Sequence, residues 1–139
     1  MYGDAVGGFA PIKDIYKTDV WALSRYRNAL ALERGETPPI PERSITKEPS
    51  AELRPDQKDS DSLPDYPVLD KVLRAYVDED HGYEALLADG FDPELVRRVI
   101  SLVDKAEYKR RQYPPGTKVS IRAFGKDRRL PMTSRWNEQ

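Results

Sequence analysis

Residues 36–64 carry six prolines, Pro38, Pro39, Pro41, Pro49, Pro55 and Pro64, and only four large apolar residues, Ile40, Ile45, Leu53 and Leu63. Proline has no N–H to give a helix or a ladder and holds its predecessor extended. No period of 2 or 3.6 survives across this stretch, so neither a long helix nor a central strand can cross it. A loop of that length exceeds the roughly 12–15 residues of ordinary connections, and such loops serve as lids or linkers. Mobility is therefore expected over 36–64. With 139 residues the chain has room for one domain, 1–139, and not for two.

Helical signals flank the loop. Before it, Val20, Leu23, Arg27 and Leu30 mark one 3.6-period face, with Asp14 or Thr18 as candidate caps and Gly35 suited to the C′ position. After it, Asp65 and Pro67 open a helix whose apolar face is Val68, Leu69, Val72, Leu73, Tyr76 and Val77. A short helix from Tyr83 to Asp89 closes at Gly90. Asp92, Pro93 and Glu94 then start the best-marked helix, with Leu95, Val96, Val99, Ile100, Leu102 and Val103 on its apolar side. That helix is expected to run to Arg111 and stop before Tyr113-Pro114-Pro115-Gly116. Lys118 to Phe124 alternates weakly as a short strand would, and 117–139 reads as an extended basic tail. The fold class is mainly α: three to four helices, a long loop and a basic tail.

Composition narrows the chemistry. Charged residues make up 34 % of the chain against a usual ~25 %, so the core is small. There is no Cys and one His, which excludes disulfides, thiolate metal sites and a cysteine nucleophile and argues against a multi-His centre. No metal site is expected in the chain, and His81 reads as structural. No apolar run approaches the roughly 18–20 residues of a membrane span, and Met1-Tyr2-Gly3-Asp4 lacks the pattern of a secretory signal. The expectation is a cytoplasmic protein that does not touch membranes.

The net charge of −1 conceals two blocks: residues 36–94 hold 16 acids and 6 bases, and residues 105–135 hold 10 bases and 2 acids. Such blocks suit a protein-interaction module or, in the basic block, nucleic acid. Against nucleic acid stand the pI near 5.9 and the scattered aromatics Tyr108, Tyr113, Phe124 and Trp136. Four local features bear on small-molecule chemistry. Glycines around Asp4 form a turn able to approach a phosphate or a cation. Lys17 stands at a helix start, where a cation opposes the dipole unless it has an anionic partner. Ser50 precedes Ala51-Glu52-Leu53 as a hydroxyl in the loop or as a helix cap. Glu107-Tyr108-Lys109-Arg110-Arg111-Gln112 gathers three cations and an aromatic, a patch suited to phosphate or carboxylate and equally to a solvated helix end.

Read together, these stretches resemble one family. Tyr2-Gly3-Asp4, Gly7-Gly8-Phe9-Ala10-Pro11, Lys13-Asp14-Ile15-Tyr16-Lys17-Thr18, Pro49-Ser50-Ala51-Glu52-Leu53-Arg54-Pro55, Gln57-Lys58-Asp59-Ser60-Asp61-Ser62-Leu63-Pro64, Glu107-Tyr108-Lys109-Arg110-Arg111-Gln112-Tyr113-Pro114-Pro115-Gly116 and Arg122-Ala123-Phe124-Gly125 are similar, in order and spacing, to the C-terminal part of the synthetase domain of bacterial glutamine-dependent NAD⁺ synthetases. The resemblance implies a parent domain of α/β type, of the ATP-pyrophosphatase (adenine nucleotide alpha-hydrolase-like) class. It implies an ATP-dependent carbon–nitrogen ligase that adenylates the carboxylate of deamido-NAD⁺ and lets ammonia, derived from glutamine in a separate glutaminase domain, displace AMP. The family's Ser-Gly-Gly-x-Asp-Ser phosphate loop is absent from these 139 residues, so the chain is expected to be inactive alone.

By the same resemblance, Lys17 is the catalytic candidate and contacts ATP phosphates, and Ser50 contacts ATP from the mobile loop. Lys109 binds deamido-NAD⁺ beside Tyr108, which stands where the short form has His. Asp4 lies next to the site. ATP and Mg²⁺ enter as substrates, no cofactor is held tightly, and the parent is expected to be a homo-oligomer.

Overall fold

A computed structural model describes residues 7–50, 54–61, 63–123 and 125–133. The order is α1 Lys17–Glu33, α2 Glu42–Thr46, a 3-10 turn Asp59–Asp61, α3 Tyr66–Leu73, a π-helical turn Arg74–Asp78, α4 Tyr83–Ala88, α5 Pro93–Lys105 and α6 Glu107–Arg110. Among the described residues there is no strand. The chain divides into two compact units, Tyr16–Val68 as one and Met1–Ile15 with Leu69–Gln139 as the other.

In the unit Tyr16–Val68, α1 ends in the C-terminal motif that Gly35 permits. The Glu36 N–H donates to the Ala31 carbonyl (2.9 Å) and the Gly35 N–H to the Leu32 carbonyl (3.0 Å), with Gly35 at φ 71°. The start of α1 departs from expectation: its N-cap is Tyr16, with no side-chain cap bond. Its apolar face departs too. Ala31 is the buried residue of α1, whereas Leu23, Tyr26 and Leu32 are exposed. The apolar residues of α1 are spread around the helix, with arginines among them, so no broad stripe forms.

The proline-rich stretch is not featureless. Five residues between Pro41 and Lys47 make α2, and Ile45 is buried. Asn28 of α1 binds Ile40 twice: its Nδ2 donates to the Ile40 carbonyl (2.8 Å) and its Oδ1 accepts from the Ile40 N–H (3.0 Å). A side-chain amide thus stands in for a backbone partner, which a segment without a ladder requires.

The other unit holds the larger core. Leu69, Val72, Ala75, Tyr76, Val77, Tyr83, Leu86, Val96, Val99, Ile100 and Val103 are buried. A fully buried Leu, Ile or Val contributes roughly 1.5–3 kcal/mol relative to exposure. The π-helical turn places three consecutive residues, Ala75, Tyr76 and Val77, in the interior, and the Glu79 N–H donates to the Arg74 carbonyl five residues back. α5 begins as its sequence dictates: Asp92 Oδ1 accepts from the Leu95 N–H at 2.8 Å, with Pro93 at the first helical position. α4 closes at Gly90, φ 88°, and His81 Nδ1 lies 2.6 Å from Asp89 Oδ2.

Two further expectations are corrected. The last helix does not run unbroken to Arg111; it stops at Lys105 and resumes as the single turn α6. The weak alternation of Lys118–Phe124 forms no strand among its described residues. Asp14 reaches this segment instead: its Oδ2 accepts from the N–H groups of Val119 (2.8 Å) and Ser120 (2.9 Å), which are thereby taken from any ladder. The described part of 117–139 has neither helix nor strand, yet it is tied down. Arg128 lies with its guanidinium carbon 4.0 Å from the centroid of the Tyr76 ring, and Arg122 pairs with Asp80 at 2.8 Å.

Candidate functional site

Lys17 opens α1, half-buried, with its Nζ 5.8 Å from the Trp21 ring centroid. Trp21, one helical turn on, meets Tyr66 edge to face at 5.8 Å and 79°. The Tyr66 hydroxyl donates to Asp59 Oδ2 at 2.6 Å, and the Asp59 N–H donates to the Pro49 carbonyl at 2.9 Å. A continuous run of contacts therefore leads from Lys17 to the residue that precedes Ser50.

Ser50 donates its hydroxyl to the Gln57 carbonyl, which draws the two ends of the intervening loop together. Ser50 also lines a cleft of about 630 Å³ with Lys47, Glu48, Arg54, Pro55, Asp56, Gln57 and Lys58. Glu48 and Asp56 are counter-charges in its wall; Glu48 pairs with Lys58 at 2.7 Å and accepts from Ser60 Oγ at 2.7 Å. The Lys58 and Ser60 hydrogen bonds hold the Glu48 carboxyl below the usual range. A hydroxyl with three cations around it suits a phosphate-bearing ligand. The three cations escaped notice in the sequence because Lys47, Arg54 and Lys58 have no common period; only the folding of the loop gathers them.

Tyr108 and Lys109 stand on α6, in the other unit, and both are exposed. Lys109 makes no ion pair among the described residues. Its neighbours differ sharply. Glu107 is 2 % exposed; its Oε2 accepts from Arg110 Nη2 (2.9 Å) and Nε (3.3 Å), and its Oε1 from Arg111 Nε (2.8 Å). Burial pushes the Glu107 carboxyl up, but the hydrogen bonds from Arg111 and Arg110 outweigh it and leave the group below the ordinary range. In the sequence Arg110 and Arg111 read as part of a cationic patch. The i,i+3 and i,i+4 spacing from Glu107 was the available signal that they are engaged internally.

The predicted residues thus fall in two groups, Lys17 with Ser50 in one unit and Tyr108 with Lys109 in the other. Asp4 lies outside the described residues, as do Ala51, Glu52 and Leu53 of the loop motif. Among the described residues no three His, Cys, Asp or Glu side chains converge to hold a metal ion, and no helix is long and apolar enough to cross a membrane.

Comparison with known proteins places these motifs. The profile of the NAD synthase family matches residues 1–113. A glutamine-dependent NAD(+) synthetase of Acinetobacter baylyi is 57 % identical over 136 residues, 98 % of this chain and 24 % of its own length. One from Thermotoga maritima is 49 % identical over 138 residues, 99 % of this chain and 23 % of its own. The structure of glutamine-dependent NAD⁺ synthetase from Acinetobacter baumannii in complex with ADP is similar with a TM-score of 0.53 and 48 % identity, over 99 % of this chain and 23 % of that one. The chain spans about a quarter of the length of the relatives it matches. With the family profile covering most of its residues and relatives of this identity covering nearly all of them, the chain belongs to the NAD synthase family.

Proposed function

We propose that the chain supplies the C-terminal part of the synthetase domain of a glutamine-dependent NAD⁺ synthetase, a cytoplasmic, oligomeric ligase. In the reaction the carboxylate oxygen of deamido-NAD⁺ attacks the α-phosphorus of ATP, and pyrophosphate leaves. Ammonia from the glutaminase domain then attacks the acyl carbon, AMP leaves, and the amide remains. Mg²⁺ enters as part of the substrate MgATP.

Each named residue has one task. Lys17 offers a compact cation to the charge that grows on departing pyrophosphate. Ser50 contacts ATP from the 36–64 loop, which closes over the adenylate and keeps water from hydrolysing it before ammonia arrives. Lys109, with Tyr108 beside it, binds the anionic dinucleotide. Asp4 lies next to the nucleotide. The observation that supports the nucleotide part is the cleft that Ser50, singled out by resemblance, lines with Lys47, Arg54 and Lys58, three cations against the carboxylates of Glu48 and Asp56.

Ser50→Ala tests this reading in the synthetase that carries the segment, with ammonia as nitrogen source. Loss of one hydrogen bond to ATP, worth roughly 0.5–1.5 kcal/mol, is expected to raise the ATP KM several-fold and leave the deamido-NAD⁺ KM unchanged. An unchanged ATP KM rejects the nucleotide role of the loop. The 139-residue chain alone, lacking the phosphate loop, is expected to form no NAD⁺, and turnover by it overturns the proposed architecture.

A further inference from the structure

We infer that Glu107 is the positioning residue of the dinucleotide site: its buried carboxylate, acting through Arg110 and Arg111, holds the turn that presents Lys109. The inference rests on the proposed role of Lys109 in binding deamido-NAD⁺.

α6 is a single turn of four residues, far shorter than the ~12–15 residues at which an isolated helix becomes even marginal in water. Burial of its outer residues does not hold it either, since Tyr108 and Lys109 are exposed. What fixes the turn is the residue before them. The Glu107 side chain is 3 % exposed, and each of its oxygens takes one of the two arginines that follow Lys109 directly. Both arginines reach onward. Arg110 Nη1 donates to the Val103 carbonyl at the end of α5, and Arg111 Nη2 donates to the Leu130 carbonyl at 3.0 Å. Arg129 Nη1 approaches Glu107 Oε1 to 3.6 Å. One carboxylate thus ties the end of α5, the turn itself and the 129–130 segment into one frame.

The frame also explains why the helix breaks at Ala106. The Ala106 N–H donates to both the Leu102 (3.1 Å) and Val103 (3.2 Å) carbonyls, a tightened last turn. After it the chain restarts with Glu107 inward and the Lys109 N–H bonded to the Ala106 carbonyl at 3.0 Å. A buried carboxylate with one buried guanidinium partner, Arg110, and one exposed, Arg111, is a poor source of stability compared with an apolar residue, and removing a partner leaves the charge less compensated. Its use is geometric: Lys109 keeps its charge outside the network while its backbone is clamped by it.

The test uses the synthetase that carries this segment, assayed with ammonia. Glu107→Gln keeps the size of the side chain and removes the charge that draws both arginines. The expected result is a deamido-NAD⁺ KM raised about tenfold, with the ATP KM unchanged and kcat within twofold; a general loss of structure moves all three. Lys109→Ala is the reference, and the double variant Glu107→Gln/Lys109→Ala is expected to have the KM of Lys109→Ala alone, because both act through one group.

If Lys109→Ala raises the KM and Glu107→Gln does not, or if the two effects multiply, the positioning role is overturned while the dinucleotide reading stands. If Lys109→Ala changes nothing, the dinucleotide reading itself fails, and the inference with it. Should Glu107→Gln not yield folded protein, Arg111→Gln cuts one arm at an exposed side chain and leaves the Glu107–Arg110 pair. It is expected to raise the deamido-NAD⁺ KM about threefold and to speed amide exchange at Lys109 and Gln112. An unchanged KM and unchanged exchange in Arg111→Gln overturn the inference.

Discussion

Asp14 and Ser120, 106 positions apart, are joined through one oxygen: Asp14 Oδ2 accepts the Ser120 N–H at 2.9 Å and the Ser120 hydroxyl at 2.8 Å, and the Val119 N–H at 2.8 Å besides. Asp14 is nearly buried. Removing its carboxylate leaves two backbone donors without their acceptor. Hydrogen bonds to a charged group are worth roughly 1.5–3 kcal/mol, and an orphaned donor costs about as much. Asp14→Ala is expected to destabilise the chain by about 2–4 kcal/mol in urea unfolding followed by circular dichroism. Asp14→Asn keeps an acceptor and is expected to lose less than half of that. Equal stability of Asp14→Ala and the parent shows that the junction is not maintained in solution.

Gly116 belongs to the same junction. The Ala10 N–H donates to the Pro115 carbonyl at 2.8 Å, and a Cβ on Gly116 would meet the Ala10 carbonyl oxygen at 2.2 Å and Lys13 Cγ at 2.9 Å. A flexible lysine moves aside; a backbone carbonyl does not. Gly116→Ala is expected to cost about 1–3 kcal/mol, the range of overpacking. Gly125→Ala, whose Cβ meets nothing within 4 Å, is the matched control and is expected to change stability little.

This junction marks the limit of what the sequence alone discloses. Features written in consecutive residues were legible: the Asp92-Pro93-Glu94 start of α5, the stop of α4 at Gly90, and Gly35 after α1. Asp14 reads locally as a cap because its real partners lie more than a hundred positions away. The exposure of Leu23 on α1 is not legible in sequence, because a sparse 3.6-period pattern looks the same whether or not anything covers it. The break at Ala106 follows from Glu107 turning inward onto Arg110 and Arg111, a tertiary cause. In the candidate site, Lys17, Ser50 and Lys109 stood out by resemblance to a family, whereas Glu107 and the cations around Ser50 needed coordinates.

Acid should act on Glu107 and Asp104 in opposite senses. Arg111 and Arg110 overcome the burial of Glu107 and hold its carboxyl below the ordinary range. For Asp104, burial prevails over the Tyr76 hydrogen bond and the Arg128 and Arg110 charges, and the carboxyl lies above its usual value. A depressed carboxyl contributes stability that is complete above its unfolded pKa, about 4.3 for Glu, and is lost as pH falls through the folded value. A raised carboxyl does the reverse: its charged form costs stability at neutral pH, and protonation through the raised value relieves that. Acidification from pH 7 should bring a gain as Asp104 protonates and a loss as Glu107 does. Glu107→Gln removes the Glu107 share of that loss, so the Tm difference between parent and variant should shrink below pH ~4. A difference constant from pH 7 to pH 3 contradicts the network.

The 36–64 stretch makes a local prediction. Asn28 is the side chain that pins Ile40 from α1. Amide exchange should be slow at Ile40 and at the bonded N–H groups of Glu36, Asp59 and Leu63, and fast over the remaining proline-rich segment outside α2, as expected of a lid that is open without nucleotide. Asn28→Ala should speed exchange at Ile40 by an order of magnitude or more, with lesser effects over α2. Uniform strong protection from 36 to 64 in the nucleotide-free chain rejects the lid.

Lys17 offers the sharpest separation between a structural and a chemical role. It sits in the first turn of α1, where the helix dipole disfavours a cation by roughly 0.3–1 kcal/mol. Its neighbour is the face of Trp21 at 5.8 Å, and no carboxylate pairs with it among the described residues. For the helix alone, Lys17→Ala is therefore neutral or slightly stabilising, and the Tm should not fall. If the ammonium stabilises charge on departing pyrophosphate, the same substitution removes an interaction that strengthens in the transition state. The expected loss in kcat is on the order of 10²-fold, as for removal of an electrostatic donor, with a much smaller change in the ATP KM. Lys17→Arg keeps the charge on a bulkier, planar group and should fall between. Trp21→Leu should lower kcat several-fold by releasing the ammonium from the ring it rests on. Measured with saturating ammonia, these variants bypass glutamine hydrolysis. An unaltered kcat in Lys17→Ala, at unaltered Tm, leaves Lys17 a surface lysine at the head of α1 and removes it from the reaction.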